Sequence, residues 1–206
     1  MKLLKKAAAV LLAATMSLAM LTACGGGSNV GSAANESNTM EKRLIEVDGV
    51  EPTCTETEYT TTNGTWAYIE TNVDSHKSAR LDNIKTGDSY KINPTTMKAY
   101  KEAASSGETG DNANVTTTMG TWKDENGKVY ITETITVAHS NTVKDVETWY
   151  CDGDRPAFIK FEYLGREKDH WELYKVTQYS RTANESKLNL NNYTIVENEE
   201  DLGLNY

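Results

Sequence analysis

Apolar and polar residues alternate along several segments in the second half of the chain, and this alternation predicts β-strands. The clearest case is 129–137, where valine and isoleucine fall on one face and threonine dominates the other. Glu133 interrupts the apolar face, so this face is expected to be partly solvated or to hold a polar partner. Just before the segment, Asn126-Gly127 supplies the positive φ that a tight hairpin turn needs.

Further predicted strands follow at short intervals. The pattern predicts strands at 143–151, 157–164 and 171–179, separated by turn residues, and an edge strand at 192–196. Strands joined by such short loops pair with their sequence neighbours as an antiparallel meander. The sequence therefore predicts a mainly β fold, an antiparallel meander forming a curved sheet, half-barrel or sandwich of about 8–10 strands with at most one or two short helices.

Two signals conflict at residues 94–104. A proline followed by good helix formers favours a short helix there, which is the prediction we adopt. An internal repeat with copies at 60–100 and 116–162 would instead make this segment a strand. The repeat rests on the motif Thr-Thr-Thr-x-Gly-Thr-Trp, which occurs twice at an offset of 56 residues, and on weaker matches at an offset of 62. Threonine-rich strands also resemble one another by chance, so both interpretations stay open.

The first 23 residues have the pattern of a secretory signal peptide. Three lysines flank the start of an apolar run, 7–23, that is short for a membrane span and ends in small residues. It continues as Leu21-Thr22-Ala23-Cys24-Gly25, which resembles the lipobox of bacterial lipoproteins. The resemblance implies cleavage before Cys24 and a diacylglyceryl group on its thiol, which gives a stable anchor on the extracytoplasmic side of the cell membrane. A signal peptide cut elsewhere and an uncleaved anchor helix are the disfavoured alternatives.

The charge balance and the segment after Cys24 indicate which partners the folded part can bind and how it is connected to the anchor. Without residues 1–23, the chain keeps 18 basic and 30 acidic residues, a net charge of −12. Such a surface repels phosphate backbones and anionic lipid headgroups, so we predict no nucleic-acid partner and a membrane contact made through the anchor. Residues 24–40, rich in Gly, Ser and Asn, predict a flexible tether. Residues 41–206 are then predicted to form a single β-rich extracytoplasmic domain.

The titratable residues offer no catalytic or metal-binding pattern. Outside the cytoplasm, Cys54 and Cys151 can form a disulfide, or they can remain two thiols; neither lies in a CxxC motif or near a histidine. The three histidines lack zinc-site spacing, and Asp152-Gly153-Asp154 fits a hairpin turn better than a calcium loop. The sequence therefore predicts no catalytic residues, no metal and no cofactor.

Six aromatic residues are candidates for an apolar cleft, and the alternative is that they form the core because Leu and Phe are scarce. They are Trp66, Tyr68, Trp122, Trp149, Phe161 and Trp171. A cleft lined by them would suit a lipid or another amphiphile. In its architecture and its location in the cell, a lipid-anchored antiparallel sheet also resembles the LolA and LprG group. This resemblance implies a curved sheet that carries lipid or lipidated cargo across the cell envelope.

Three functions are compatible with these features. The leading hypothesis is a non-enzymatic binding or accessory module of the cell envelope, whose partner is an unknown envelope protein or an apolar ligand. The second is a carrier of lipid or another apolar ligand, and the third is an envelope enzyme acting on glycan or peptide. A carrier needs an apolar cavity and an enzyme needs titratable groups in a cleft. A partner-binding module needs neither and is favoured by a continuous exposed patch.

Overall fold

The computed structural model describes residues 37–103 and 114–204. The signal peptide predicted at 1–23, with Cys24 behind it, lies outside the described residues, so the lipid anchor remains a prediction. Within the described ranges, no helix has the length and apolar character needed to cross a membrane. The first strand already begins at Asn38, so the folded part starts before the tether end predicted at residue 40.

The described residues form twelve strands and little helix, which confirms the predicted mainly β fold with a larger number of strands. The strands are β1 (Asn38–Val47), β2 (Glu56–Thr62), β3 (Trp66–Val73), β4 (His76–Asn83), β5 (Ser89–Asn93), β6 (Lys98–Lys101), β7 (Asn114–Lys123), β8 (Val129–Ala138), β9 (Lys144–Asp152), β10 (Arg155–Leu164), β11 (His170–Ser180) and β12 (Thr194–Val196). The helical segments are α1 (Glu185–Leu188) and two 3-10 helices at Leu190–Asn192 and Glu199–Leu202. Among these residues the strand pairing is mixed, because β12 pairs with β6 in parallel whereas pairs such as β7 with β8 are antiparallel.

The described chain divides into two compact units. Unit 1 comprises 46–50 and 114–175, and its strands run in the order β11-β10-β9-β8-β7. Unit 2 comprises 37–45, 51–103 and 176–204, with the order β12-β6-β5-β4-β3-β2-β1. In each unit, strands that follow one another along the chain are paired antiparallel, as short loops require.

Unit 1 is the meander predicted from the alternating segments. The segment predicted at 129–137 is strand β8, and the turn before it is closed by the Asp124 carboxylate, which accepts hydrogen bonds from the N–H groups of Asn126 and Lys128 at 3.0 and 2.8 Å. Gly127 has the positive φ, +84°, that this turn requires. The register brings Trp149 of β9 between Glu133 of β8 and Ile159 of β10, on the buried face of the unit.

Unit 2 buries one face of its strands beneath the C-terminal segment. Its core contains Tyr68, Leu81, Ile92 and Ala99 from the strands, and Leu188 and Tyr193 from the segment that follows β11. All six side chains are at most 6% exposed. Helix α1 is only four residues long and is therefore held by this packing rather than by its own propensity.

The helix predicted at 94–104 is wrong, because residues 94–97 form a turn and β6 follows. The Asn93 side chain accepts hydrogen bonds from the backbone N–H groups of Thr95 and Thr96 at 2.9 and 3.1 Å. Met97 adopts a positive φ of +55°, so the chain cannot continue as a right-handed helix beyond this single turn. Ala99 is then fully buried opposite Ile92, so sheet packing outweighs the local preference for helix.

At the defining motif of the possible internal repeat, the two copies have different local structures. In the first copy, at 60–66, the motif spans the turn between β2 and β3, whereas in the second copy, at 116–122, it lies inside the single strand β7. Burial differs as well, since Ile69 is 5% exposed and its counterpart Ile131 is 43% exposed. Similar local composition therefore produces different structure in the two copies.

Candidate functional site

The six aromatic residues proposed for a cleft have unlike surroundings. Tyr68, Trp149 and Phe161 are at most 4% exposed, and Trp122 is 44% exposed. Trp66 and Trp171 are half-buried. Trp66 and Tyr68 belong to unit 2 and the other four to unit 1, so neither unit holds all six. The three buried members are core residues of their units, as the alternative interpretation of the sequence expected.

Unit 1 instead carries an exposed apolar surface on its outer strands, which we call the β7–β8 strip. It consists of Val115, Met119, Trp122, Val129 and Ile131. Each is 43–59% exposed, and they are five of the seven large apolar side chains that are exposed in the described ranges. The strand register places four of them on one face, with Trp122 on the other. Exposed apolar residues gathered in this way are typical of interaction surfaces.

Strand β7 also presents an open edge. All ten of its residues are exposed, and it ends the strand order of unit 1, so no described strand pairs with its outer side. Natural edge strands are usually protected against pairing by proline, by charges or by being short. β7 has no proline, and its single charged residue, Lys123, is at its end. This edge therefore keeps the features that allow another strand to pair with it.

Trp122 is held in place by neighbouring rings on the second face of the same strands. Its ring centroid lies 5.6 Å from that of Tyr130 and 5.3 Å from that of Tyr150. Tyr130 in turn contacts Phe158 with a centroid distance of 5.9 Å. An exposed tryptophan fixed by aromatic contacts loses little conformational freedom when a partner covers it, which favours a role as an anchor residue.

The buried face of unit 1 carries several carboxylates. Trp149 donates its indole N–H to Glu147 Oε1 at 2.7 Å, and both side chains are at most 1% exposed. Asp145 is 4% exposed and contacts Arg166 and His139 through hydrogen bonds. Glu133 is 7% exposed, and its Oε2 atom is buried without a hydrogen-bond partner. The sequence flagged Glu133 as an interruption of an apolar face but gave no reason to group it with the other acids.

A histidine network lies at the end of the same face. His170 contacts Asp48 Oδ2 through Nδ1 at 3.0 Å and Glu172 Oε1 through Nε2 at 3.2 Å. Burial opposes the charged imidazolium, but the hydrogen bonds to the two carboxylates outweigh it and raise the pKa of His170. Nothing in the spacing of Asp48 and His170 along the chain indicated this contact. Across the described residues, no three His, Cys, Asp or Glu side chains come together as metal ligands.

The ionisation of the buried Glu133 carboxyl group makes the stability of the protein depend on pH. Burial raises the pKa of Glu133 above its ordinary value of 4.5. The folded state therefore holds this proton more tightly than the unfolded state, and stability falls as the pH rises through the folded-state pKa. We expect Glu133→Gln to unfold at a higher temperature than the parent at pH 7, and this gain to vanish below about pH 4.

Thermal unfolding of the parent and of Glu133→Gln, measured from about pH 4 to pH 7, gives the difference in stability at each pH. Glu125→Gln, in the exposed turn before β8, is the control and should give no pH-dependent difference. A stability difference for Glu133→Gln that stays constant with pH would mean that the buried carboxyl does not change its ionisation on folding.

Cys54 is a free, partly exposed thiol in the loop before β2. The structure therefore has no bridge between Cys54 and Cys151, which the sequence offered as one of two alternatives. Cys151 is 1% exposed on β9, where its register neighbours are Ile131 of β8 and Pro156 of β10. Its side chain thus lies on the buried face of unit 1, a location that the sequence spacing of the cysteines did not reveal.

Unit 2 contains a cavity of about 360 Å³ between its strands and the segment around α1. Glu70 lies on its wall and accepts hydrogen bonds from the Tyr68 hydroxyl at 2.7 Å and from Lys187 Nζ at 3.1 Å, with Lys77 Nζ at 3.7 Å. Burial opposes its ionisation, but the hydrogen bonds from Tyr68 and Lys187 prevail and lower the pKa of Glu70. Asn72 Oδ1, on the same wall, is buried without a donor. The lining is polar and charged, unlike the apolar cavity that a lipid carrier needs.

Comparisons with known proteins give distant structural likenesses. No family model and no curated protein matches the chain. An uncharacterized conserved protein from Thermus thermophilus overlaps with a TM-score of 0.49 at 10% identity, over 80% of this chain and 91% of that chain. A DUF1329 family protein from Desulfovibrio piger gives 0.34 at 10% identity, over 84% of this chain and 95% of that one.

A third solved structure is described as a putative outer membrane lipoprotein-sorting protein domain, from Vibrio parahaemolyticus. It overlaps with a TM-score of 0.30 at 13% identity, over 78% of this chain and 88% of that chain. All three TM-scores are below 0.5. None of these likenesses therefore assigns a function to the chain, and the function has to be inferred from its own residues.

Proposed function

We propose that the chain is a membrane-anchored extracytoplasmic lipoprotein that acts as a non-enzymatic binding module, and that it binds an extended segment of an envelope protein along β7. The lipobox at Cys24 supports the anchor and the location. The observation that carries the binding role is the β7–β8 strip, an exposed apolar surface beside an open strand edge. A lipid-carrier role is less well supported, because the cavity of unit 2 is lined by charged and polar side chains.

Strand addition uses both features of this surface. In an antiparallel ladder, alternate residues direct their N–H and C=O groups toward one neighbour, so about half of the ten residues of β7 offer these groups at the open edge. The backbone ladder supplies affinity that depends little on sequence, and pockets for alternate side chains supply specificity. Here Val115 and Met119, with Thr117 between them on the same face, would contact side chains on one face of the partner strand, and apolar contacts there remove exposed surface from water.

The character of the strip also defines the partner. Met119, Val115 and Ile131 carry no charge, Lys123 at the end of β7 is the only charged residue of that strand, and Glu133 of β8, opposite Met119, is only 7% exposed. A charged partner strand would be desolvated against this surface without compensation. The proposed partner is therefore a strand with apolar residues at alternate positions and few charges, in a protein that reaches the same side of the membrane as the anchor.

In-cell photo-crosslinking tests this proposal with the full chain, including its leader. A photoreactive phenylalanine at position 119 should cross-link one envelope protein, at alternate residues of an extended segment of it. The same probe at position 195, an exposed apolar residue on β12, is the matched control and should not capture that protein. The purified partner should then bind Met119→Glu at least tenfold more weakly than Ile195→Glu, as expected when a charge is buried in an apolar contact.

The possible results separate the candidate functions. Equal capture from positions 119 and 195, or equal affinity of the two glutamate variants, would contradict binding at β7. No protein cross-link together with near-stoichiometric lipid extracted from the purified full chain would replace the proposal by the carrier function.

A further inference from the structure

The floor of the unit 2 cavity is built by two rows of side chains across neighbouring strands. The first row places Glu41 of β1, Tyr59 of β2 and Glu70 of β3 side by side. The second row, two residues further along the strands, contains Asn72 of β3 and Lys77 of β4. All five side chains line the cavity. Glu41 and Lys77 are separated by three strand spacings of about 4.8 Å and by two residues along the strands, so they stand about 16 Å apart at the backbone, on opposite sides of the floor.

The segment around α1 forms the other wall and is fixed to the strands by hydrogen bonds. Asn184 donates from its backbone N–H to Thr61 Oγ1 at 2.8 Å and from Nδ2 to the Tyr59 hydroxyl at 3.0 Å. Lys187 donates to Glu70 at 3.1 Å and lies over the Tyr68 ring, with Nζ 4.8 Å from the centroid. The cavity is therefore formed before any ligand enters, as small-molecule sites usually are.

Two acceptors in this cavity have no donor. Asn72 Oδ1 is buried without a hydrogen-bond partner, which costs about 1–3 kcal/mol unless a ligand or water supplies a donor. Among the described residues, no side chain forms an ion pair or hydrogen bond with the Glu41 carboxylate. On the opposite side Lys77 is held loosely, since its ammonium is 3.7 Å from Glu70 Oε1 and its side chain is 51% exposed. The cavity thus offers acceptors at one end and an available cation at the other.

From this arrangement, we infer that the cavity of unit 2 binds a small zwitterion, an amino acid or a dipeptide. Its ammonium group contacts Glu41, its carboxylate contacts Lys77, and an N–H group donates to Asn72 Oδ1. The four charged residues of the lining, two glutamates and two lysines, sum to zero, which matches a ligand without net charge.

The size of the cavity limits the ligand. A volume of about 360 Å³ is at the lower end of the range for small-molecule sites. The side chains of Glu41 and Lys77 extend from both sides into the separation of about 16 Å and leave a gap that suits a dipeptide better than a longer peptide. Glu70 is already engaged by Tyr68 and Lys187, so it serves to hold Lys187 in position rather than to bind the ligand.

Calorimetric titration of the full chain, purified in detergent, tests the inference with defined probes. Alanyl-alanine should bind, whereas N-acetyl-alanyl-alanine and alanyl-alanine amide, which lack the ammonium and the carboxylate respectively, should bind at least tenfold more weakly. Glu41→Gln should weaken alanyl-alanine by a similar factor and leave the N-acetylated form unaffected. Lys77→Gln should also weaken the binding of alanyl-alanine, and it should leave the binding of alanyl-alanine amide unaffected. These paired results assign each end of the ligand to one residue.

Controls separate this site from the proposed partner surface and from unfolding. Lys85→Gln in the exposed β4–β5 turn and Met119→Glu on β7 should both leave alanyl-alanine binding unchanged. Far-ultraviolet circular dichroism checks that each variant is folded. No heat from alanine, alanyl-alanine or alanyl-alanyl-alanine up to about 10 mM, or binding that is insensitive to Glu41→Gln and Lys77→Gln, would overturn the inference. Either result would leave the function proposed for β7 untouched.

Discussion

Replacement of Trp149 by alanine is expected to lower the free energy of unfolding by about 3–5 kcal/mol, because it removes a large buried side chain and leaves a cavity. Trp149 is 1% exposed and sits between Glu133 and Ile159 on the adjacent strands. Its indole N–H also donates to Glu147 at 2.7 Å, so the substitution removes a donor from a buried carboxylate. Urea denaturation followed by circular dichroism measures the loss.

Two further variants separate the contributions of packing and hydrogen bonding. Trp149→Phe keeps a ring in the core but removes the donor to Glu147, and it should give an intermediate loss. Trp122→Ala removes the same side chain from a position that is 44% exposed, and should cost about 1 kcal/mol through its ring contacts with Tyr130 and Tyr150. Equal losses for Trp149→Ala and Trp122→Ala would contradict the assignment of Trp149 to the core.

Much of the meander could be predicted because its signals are local. The segment predicted at 129–137 is β8, Val129–Ala138, and the one predicted at 157–164 is contained in β10, Arg155–Leu164. In each case alternation marks the two faces and a glycine-containing turn precedes the strand. The edge strand expected at 192–196 is likewise present as Thr194–Val196. Neighbouring short-loop strands then leave few other pairings to choose from.

The helix predicted at 94–104 failed because its outcome is decided by distant contacts. Propensity describes residues 94–104 in isolation, whereas burial of Ala99 against Ile92 and the parallel pairing of β6 with β12 involve other parts of the chain. The one local clue was Asn93, whose side chain forms an Asx turn with the following N–H groups. A turn signal immediately before a proline should therefore weigh more than the helix formers behind it.

The candidate sites differ in how far they could be predicted. The β7–β8 strip could not be predicted, because Met119, Val115 and Ile131 occupy positions in the sequence pattern that are typical of core-facing residues. Only the strand order shows that β7 is an edge strand. The cavity of unit 2 draws Glu41 and Lys77 from separate strands whose register the sequence does not specify. Interior acids such as Glu133 are the exception, since a charge on an apolar face is visible in the alternation itself.

Gly165→Ala is expected to destabilise the protein by more than about 3 kcal/mol, because the new Cβ has no room. An ideal Cβ at this position would lie 1.9 Å from the carbonyl oxygen of Thr142 and 2.6 Å from its carbonyl carbon. Both are backbone atoms, so the clash can be relieved only by moving the turn before β9 or the turn after β10. Gly165 also has a φ of +74°, which adds the strain of a left-handed conformation.

Gly153→Ala provides a matched control in another hairpin turn of unit 1. Gly153 has a comparable φ of +62°, but a Cβ there would meet no atom within 4 Å. Its substitution should therefore cost only the conformational strain, about 1–2 kcal/mol. The difference between the two variants in chemical denaturation isolates the close approach of the Thr142 carbonyl to Gly165. Equal losses would mean that the Thr142 carbonyl group does not crowd a Cβ at position 165. The positive φ alone would then make glycine necessary at both positions.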